Sequence, residues 1–164
     1  MGLSSRQLNS GDAEAASALV QRSFIELAAQ DWEPSAREVF LLEASPSELR
    51  ASLAAPAFSA GTFSGTELVG LILMPKPTDL SMLFVHPSCL RQNIGRQLWE
   101  QARSHIESAY PSAKTVELNS TPYALAFYRS LGFVPISAQF VLGGCRATRM
   151  ACWLPARALG AEAL

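Results

Sequence analysis

The chain has 164 residues, of which 49% are hydrophobic and 16% charged, a composition typical of one globular domain with a proper core. Its 13 basic and 14 acidic residues are interspersed and leave a net charge of −1, so no nucleic-acid-binding surface is expected. The apolar runs are too short to span a membrane, and the first residues lack the apolar core of a signal peptide, which predicts a cytoplasmic protein. The three cysteines and two histidines lack metal-ligand spacing, so no metal site is expected.

The first third of the chain is predicted to be helical. Apolar residues recur at roughly helical spacing in DAEAASALVQRSFIELAAQ, and Asp12 precedes them as a candidate N-cap. Two shorter helices are predicted in SAREVFLLEA and SPSELRASLA, the second opened by Ser45 or Ser47 with Glu48 nearby.

Strand patterns replace the helical spacing after this region. The segment FSAGTFSGTELVGLILM predicts an antiparallel hairpin that turns at Ser64 and Gly65. The segment LSMLFV predicts a further strand, which Pro87 ends because proline cannot donate a hydrogen bond to a neighbouring strand.

Helices and strands then alternate along the chain. Apolar residues spaced by four predict a helix from Ile94 to Ala109. The segment KTVELNS predicts a strand with Glu117 and Asn119 on the same face. The segment YALAFYRSLGF predicts a helix that is closed by Gly132.

Two final strands, over 133–140 and 145–154, complete the predicted elements. The strand–helix–strand unit over residues 80–119 requires a right-handed crossover, which makes its two strands parallel or nearly so. The hairpins make the other strand pairs antiparallel. The prediction is a single α/β domain over residues 1–154 with a mixed, mostly antiparallel sheet flanked by helices, followed by an unassigned tail over 155–164.

The stretch HPSCLRQNIGRQLW, residues 86–99, joins a predicted strand to a predicted helix. The first turn of a helix has unpaired N–H groups and a partial positive charge, so it is suited to binding an anion. Asn93 tolerates the left-handed backbone that glycines adopt in such loops, and Arg91 and Arg96 would add positive charge. The alternative is an ordinary strand-to-helix connection with one packing glycine, Gly95.

The segment 80–133 resembles the core of the GNAT N-acetyltransferase superfamily. LFVHP matches the strand end of that core, Leu98-Trp99 its apolar helix pair, and ALAFYRSLGF its second sequence block. The six-residue loop of the family falls on Leu90, Arg91, Gln92, Asn93, Ile94 and Gly95. Leu90 stands where the family usually has Arg or Gln, and Asn93 replaces the first glycine of the loop.

The resemblance implies a GNAT-like fold with a splayed parallel pair of central strands, and acetyl-coenzyme A as the cosubstrate. The cosubstrate would lie where the strands at 80–85 and 114–119 separate. Its pantetheine arm would bond to the backbone around Phe84 and Val85, with Asn119 as a further ligand of the cofactor or of a water. Its pyrophosphate would bind the amides of Leu90, Arg91, Gln92, Asn93, Ile94, Gly95 and Arg96.

The resemblance also implies that an acetyl group is transferred directly to a primary amine. Tyr128 matches a tyrosine that often serves as general acid in the family, and a phenol with a pKa of about 10 can protonate a thiolate. The alternative for Tyr128 is a helix residue that packs beside Phe127. Glu117 is a candidate general base, with a solvated sheet residue as its alternative, and a water-mediated route would need no dedicated base.

The implied partners are acetyl-coenzyme A and a small-molecule or peptide amine, and members of the family often form homodimers. The family places acceptor-binding elements near AQDWEPSARE, where Trp32, Asp31 and Glu33 would meet a cationic amine unless Trp32 only anchors a surface loop. An alternative function on the same fold is a non-catalytic module that senses coenzyme A or another ligand, or that binds a partner. A further alternative is a transferase that uses a longer acyl chain or an amino acid as donor.

Overall fold

The computed structural model describes residues 2–155, so the predicted tail over 155–164 lies outside the described residues except for Pro155. The helices and strands follow one another as β1 (Leu3–Arg6), α1 (Ala13–Ser23), α2 (Pro34–Glu43), α3 (Pro46–Ser52), β2 (Phe58–Ser64), β3 (Glu67–Met74), β4 (Met82–Val85), α4 (Ile94–Ala109), β5 (Thr115–Ser120), α5 (Leu125–Ser130), β6 (Val134–Pro135), β7 (Phe140–Leu142) and β8 (Cys145–Trp153). None of the helices in this part of the chain is long and apolar enough to cross a membrane.

The three predicted N-terminal helices are present, but the capping of the first differs from the prediction. Asp12 stands at the N-cap position of α1 without a side-chain bond to that helix. Its carboxylate instead accepts a hydrogen bond from the Asn9 amide (2.9 Å), while the Asn9 side chain accepts one from the Gly11 amide (2.8 Å). The two side chains thereby cap the short 3-10 turn that precedes α1. For α3, Ser45 is the N-cap, and its hydroxyl accepts a hydrogen bond from the Glu48 amide at 3.4 Å.

The first half of the sheet is antiparallel, with the strand order β1-β2-β3-β4. The predicted hairpin is confirmed as β2 and β3, and Gly65 in their turn has a φ of 61°. Strand β1 was not predicted because all four of its residues, LSSR, are exposed. An edge strand with two solvated faces has no apolar alternation that a sequence could reveal.

The second half of the sheet has the order β5-β8-β6, with β7 also paired to β8. Strand β8 confirms the strand predicted over 145–154. The strand predicted over 133–140 is wrong in extent, because the strand there spans only Val134–Pro135 and the next one starts at Phe140.

The two half-sheets meet at a single parallel bridge between Asp79 and Glu117. The Leu80 amide donates to the Glu117 carbonyl at 3.1 Å, and the Glu117 amide donates to the Thr78 carbonyl at 2.9 Å. Beyond this bridge β4 and β5 run side by side without pairing among the described residues. The expected splayed pair of parallel central strands is therefore confirmed.

Strand β3 lies at the centre of both buried clusters of the molecule. Its Ile72 and Met74 pack in the cluster that includes the apolar face of α4. On the opposite face of the strand, Leu71 and Leu73 pack in the cluster with α1 and α3. Gly70 allows α4 to approach closely, since a Cβ at this position would lie 2.5 Å from Cγ2 of Ile94. The start of α4 is thus fixed directly against the middle of the sheet.

Candidate active site

A cavity of about 790 Å³ opens where β4 and β5 separate. One wall is the loop and first helical turn over 89–96, and a second is formed by the end of β5 and by α5. The remaining wall combines β4 with residues of the N-terminal helices and of β7 and β8. Segments from both half-sheets therefore face one continuous space.

The loop before α4 holds two residues in the left-handed backbone region. Arg91 has a φ of 63°, and Asn93 has a φ of 61° and a ψ of 16°. The glycine-like backbone expected of Asn93 is therefore confirmed. Asn93 is also the N-cap of α4, and its side chain makes no capping hydrogen bond. No side chain at the cap thus competes for the first N–H groups of α4, which suits an anion.

Gly95 serves the packing of the two helices that border the cavity. A Cβ at this position would lie 2.8 Å from Cζ of Phe127 in α5, so only glycine lets the two helices approach this closely. The Arg96 guanidinium adds a second link, because it donates to the Ser130 carbonyl at 3.1 Å. The packing role of Gly95 is therefore confirmed, while anion binding by the loop stays a prediction.

Strand β4 presents part of its backbone to the cavity. The His86 amide donates to the Val69 carbonyl at 2.8 Å, and in an antiparallel ladder every second residue makes such bonds. Phe84 consequently bonds to β3, while the backbone groups of Leu83 and Val85 point away from it. The Ser23 hydroxyl donates to the outward-facing Val85 carbonyl at 3.1 Å. The outward backbone groups of β4 are thus those of Leu83 and Val85, while Phe84 lines the cavity beside Phe40.

Most of the predicted site residues line the cavity, and two do not. Those that line it are Phe84, Val85, Leu90, Arg91, Asn93, Ile94, Gly95, Arg96, Asn119 and Tyr128. Gln92 is exposed and outside the lining. Glu117 is also outside it, because its carboxylate pairs with the Arg149 guanidinium at 3.2 Å. The structure does not bring Glu117 to the place where a general base would be needed.

Tyr128 is buried in α5 with 8% of its surface exposed, yet it borders the cavity. Its ring packs near those of Phe127 and Phe133, with centroids 5.5 and 5.7 Å away. The hydroxyl forms no hydrogen bond with another side chain or carbonyl of the described residues. Burial raises the pKa of the Tyr128 phenol above its ordinary value, so the phenol keeps its proton at neutral pH.

Four aromatic residues form the side of the cavity that faces the N-terminal helices, and we call them the aromatic wall: Phe24, Trp32, Phe40 and Phe84. The Phe24 ring centroid lies 5.1 Å from that of Trp32 and 4.2 Å from that of Phe40. The indole N–H of Trp32 is buried without a partner among the described residues, so packing alone holds this ring.

Several cavity residues were not identified from the sequence, among them Ser23, Phe40, Leu142 and Cys145. They come from distant segments that tertiary contacts join. Trp32 and Cys145 form an isolated antiparallel bridge, and the Glu33 amide donates to the Gly144 carbonyl at 3.0 Å. No local spacing signals such a contact, so no pattern in the sequence could have revealed it.

Comparison with known proteins connects this geometry to a family. The family model described as "Acetyltransferase (GNAT) domain" matches residues 26–154. The fold is similar to that of a GCN5-related N-acetyltransferase from Rhodopseudomonas palustris, with a TM-score of 0.81, 19% identity, and 94% of this chain and 97% of that chain covered.

Two further solved structures have the same fold. The PaiA N-acetyltransferase from Thermoplasma acidophilum, in complex with coenzyme A, has a TM-score of 0.78, 17% identity, and coverage of 93% of this chain and 99% of its own. A GNAT-family acetyltransferase from Streptococcus pneumoniae has a TM-score of 0.69, 16% identity, and coverage of 93% and 99%. The family match spans most of this sequence, and the chain therefore belongs to the GNAT family of acyltransferases, which use acetyl-coenzyme A as cosubstrate.

Proposed function

We propose that this protein is an N-acetyltransferase that moves the acetyl group of acetyl-coenzyme A directly to a primary amine of a small molecule or peptide. The observation that carries the proposal is the single cavity that joins the loop before α4, the outward edge of β4 and the Tyr128 phenol. One space of about 790 Å³ can hold a donor and an acceptor side by side.

The loop before α4 fits the anionic end of the cosubstrate. Two left-handed residues turn the chain so that the first amides of α4 are left without a side-chain cap. Such amides together with the helix dipole favour phosphate groups. Arg91 makes no ion pair with another described residue, so its charge is available. We assign the pyrophosphate to the amides of residues 90–96, with Arg91 as its counter-ion.

The edge of β4 fits the amide-bearing arm of the cosubstrate. The outward backbone groups of Leu83 and Val85 are not paired to another strand. The Val85 carbonyl accepts a hydrogen bond from the Ser23 hydroxyl, and an arm with its own amides can bond to the other outward groups as a strand would. Asn119 stands across the gap on β5 and lines the same cavity. Its side-chain oxygen already accepts a bond from Arg149 at 3.3 Å, which leaves its NH₂ group to donate.

Acetyl-coenzyme A supplies an activated thioester when bound, so the residues of this chain need only polarise its carbonyl and protonate the leaving group. A backbone N–H near Val85 would polarise the acetyl carbonyl. Tyr128 would donate its proton to the departing sulfur. The difference between the pKa of the Tyr128 phenol and that of the departing thiol would govern this proton transfer.

The test compares Tyr128→Phe with the matched control Tyr110→Phe, which changes a tyrosine outside the cavity lining. We expect Tyr128→Phe to lower kcat by about 10²-fold or more while the Kd of acetyl-coenzyme A, measured by calorimetry, stays that of the unmodified protein. Turnover is followed as coenzyme A thiol released in the presence of an amine panel.

The outcomes separate the alternatives. An equal loss of kcat and cosubstrate affinity would assign Tyr128 a packing role only. Binding of acetyl-coenzyme A without release of thiol for any amine would favour the ligand-sensing module. The absence of binding at millimolar acetyl-coenzyme A would refute the proposal.

A further inference from the structure

The part of the cavity beside the proposed thioester site is apolar. The rings of the aromatic wall contact one another, and Phe40 and Phe84 bring their centroids within 6.1 Å. The rest of this part is also built from small or apolar side chains, namely Leu27, Ala28, Leu142, Cys145 and Ala147. An amine-bearing molecule seated here would meet hydrocarbon on most of its surface.

Among the described residues, no carboxylate side chain lines this space to offset a positive charge. The ionisable residues of the lining, within the part of the chain that the structure describes, are Cys89, Arg91, Arg96, Tyr123, Tyr128 and Cys145. The two carboxylates nearest in sequence to Trp32 are directed elsewhere. Asp31 pairs with Arg146 at 3.5 Å, and Glu33 is exposed outside the lining. A buried ammonium group would therefore lose its hydration without gaining a carboxylate counter-ion, and the cation–π attraction of the aromatic wall would offset only part of that loss.

Among the described residues, the lining also holds no carboxylate or imidazole that could take a proton from an ammonium group. The arginines are permanent cations. Burial raises the pKa values of the Tyr128 phenol and the Cys145 thiol, so both stay protonated. An amine that reached this site as ammonium would find no carboxylate or imidazole base among the described lining residues.

We propose that the acceptor is a small amine with an aromatic or aliphatic body and no second charge, which packs against the aromatic wall and reacts as the neutral free base. This inference rests on the function proposed above and specifies its substrate class. As the new N–C bond forms and the C–S bond breaks, Tyr128 donates a proton to the sulfur. The nitrogen loses its surplus proton to water, and water returns a proton to the phenol.

The first test uses two amines that differ by one terminal charge, hexylamine and 1,6-diaminohexane. We expect kcat/KM for hexylamine to exceed that for the diamine on the order of 10²-fold, because the second ammonium group must be desolvated without a carboxylate counter-ion. A diamine that reacts as well as hexylamine, or better, would overturn the inference.

A pair of variants tests whether the apolar lining sets this preference. Leu142 lines the cavity and is 58% exposed, whereas its neighbour Val141 is 69% exposed and outside the lining. We expect Leu142→Glu to shrink the preference for hexylamine by about tenfold through an added counter-charge. Val141→Glu adds the same charge on the same strand and should leave the preference unchanged. Equal effects of the two variants would overturn the role of the lining.

Calorimetry keeps the inference testable apart from turnover. Both amines are titrated into the protein in the presence of coenzyme A. Tighter binding of hexylamine supports the inference even if no acetyl transfer occurs, in which case the proposed function fails alone. Tighter or equal binding of the diamine, or binding of neither amine at millimolar concentration, overturns the inference while acetyl-coenzyme A binding tests the function separately.

Discussion

The left-handed backbone at Asn93 gives a sharp test of the loop before α4. Replacing Asn93 with valine puts a β-branched residue at a φ of 61° and a ψ of 16°, a region that such residues rarely enter. Asn93→Gly is the opposite change, since glycine adopts this conformation without steric cost. Gln92→Val is the matched control, because Gln92 is exposed and is not among the residues with positive φ.

The expected magnitude follows from the backbone strain. The left-handed region costs most L-residues about 1–2 kcal/mol, whereas asparagine enters it more readily because its short polar side chain can hydrogen-bond locally. If the variant loop keeps its shape, this cost lowers the free energy of unfolding. If the loop relaxes, acetyl-coenzyme A must restore it, and Kd rises about 5- to 30-fold. The loss of unfolding free energy and the loss of binding free energy should together equal the strain cost of the valine.

Calorimetric titration with acetyl-coenzyme A and urea unfolding measure the two contributions on the same protein samples. Asn93→Gly should bind at least as tightly as the unmodified chain, and Gln92→Val should change neither quantity. The reasoning is refuted if Asn93→Val leaves both the Kd and the unfolding free energy unchanged. It is also refuted if Asn93→Gly weakens binding as much as valine does.

Three further predictions concern the frame and the acceptor side of the cavity. Gly70→Ala should destabilise the fold by about 1–3 kcal/mol in urea unfolding, because the added Cβ meets a methyl group of α4 at 2.5 Å. Asp12→Asn should lose stability at neutral pH. A hydrogen bond from Arg6 lowers the pKa of the Asp12 carboxyl below its usual 3.8. The stabilisation is therefore fully present above this value and is lost as the pH falls through the lowered pKa, so the stability difference between the two proteins should shrink as the pH is taken below 3.8. Trp32→Ala should raise the KM of an aromatic amine about tenfold without changing that of acetyl-coenzyme A, whereas Trp153→Ala, at a residue 58% exposed, should change neither.

The elements that were predicted correctly are those whose burial repeats with a regular period. In α4 the buried residues Ile94, Leu98, Ala102 and Ile106 recur every four positions, so the helix and its inner face follow from the sequence. Strand β1 and the break between β6 and β7 depend on pairing with residues far along the chain. Their own side chains are largely exposed and carry no periodic pattern.

The residues of the candidate site likewise fall into those that local sequence patterns predict and those that only tertiary packing brings together. The loop before α4 and Tyr128 belong to continuous motifs, so their place in the cavity could be anticipated. The aromatic wall could not, because Phe24 and Phe40 read as ordinary apolar residues of amphipathic helices. Only the three-dimensional packing shows that Phe40 reaches from its helix to Phe84 on β4. The contact of Glu117 could not be anticipated either, because it depends on the direction of the side chain: the carboxylate pairs with Arg149 on the adjacent strand.

The single bridge at Asp79 and Glu117 determines which backbone amides in the middle of the fold are open to solvent. The two half-sheets share a buried core on the α4 side, but past this bridge no backbone hydrogen bond ties β4 to β5 in the described part of the chain. The amides of Leu83 and Val85 should therefore exchange with deuterium like those of an edge strand, although they lie in the middle of the fold. A ligand in the gap would bond to the backbone as an additional strand would. The sheet would then be continuous across the gap only while that ligand is bound.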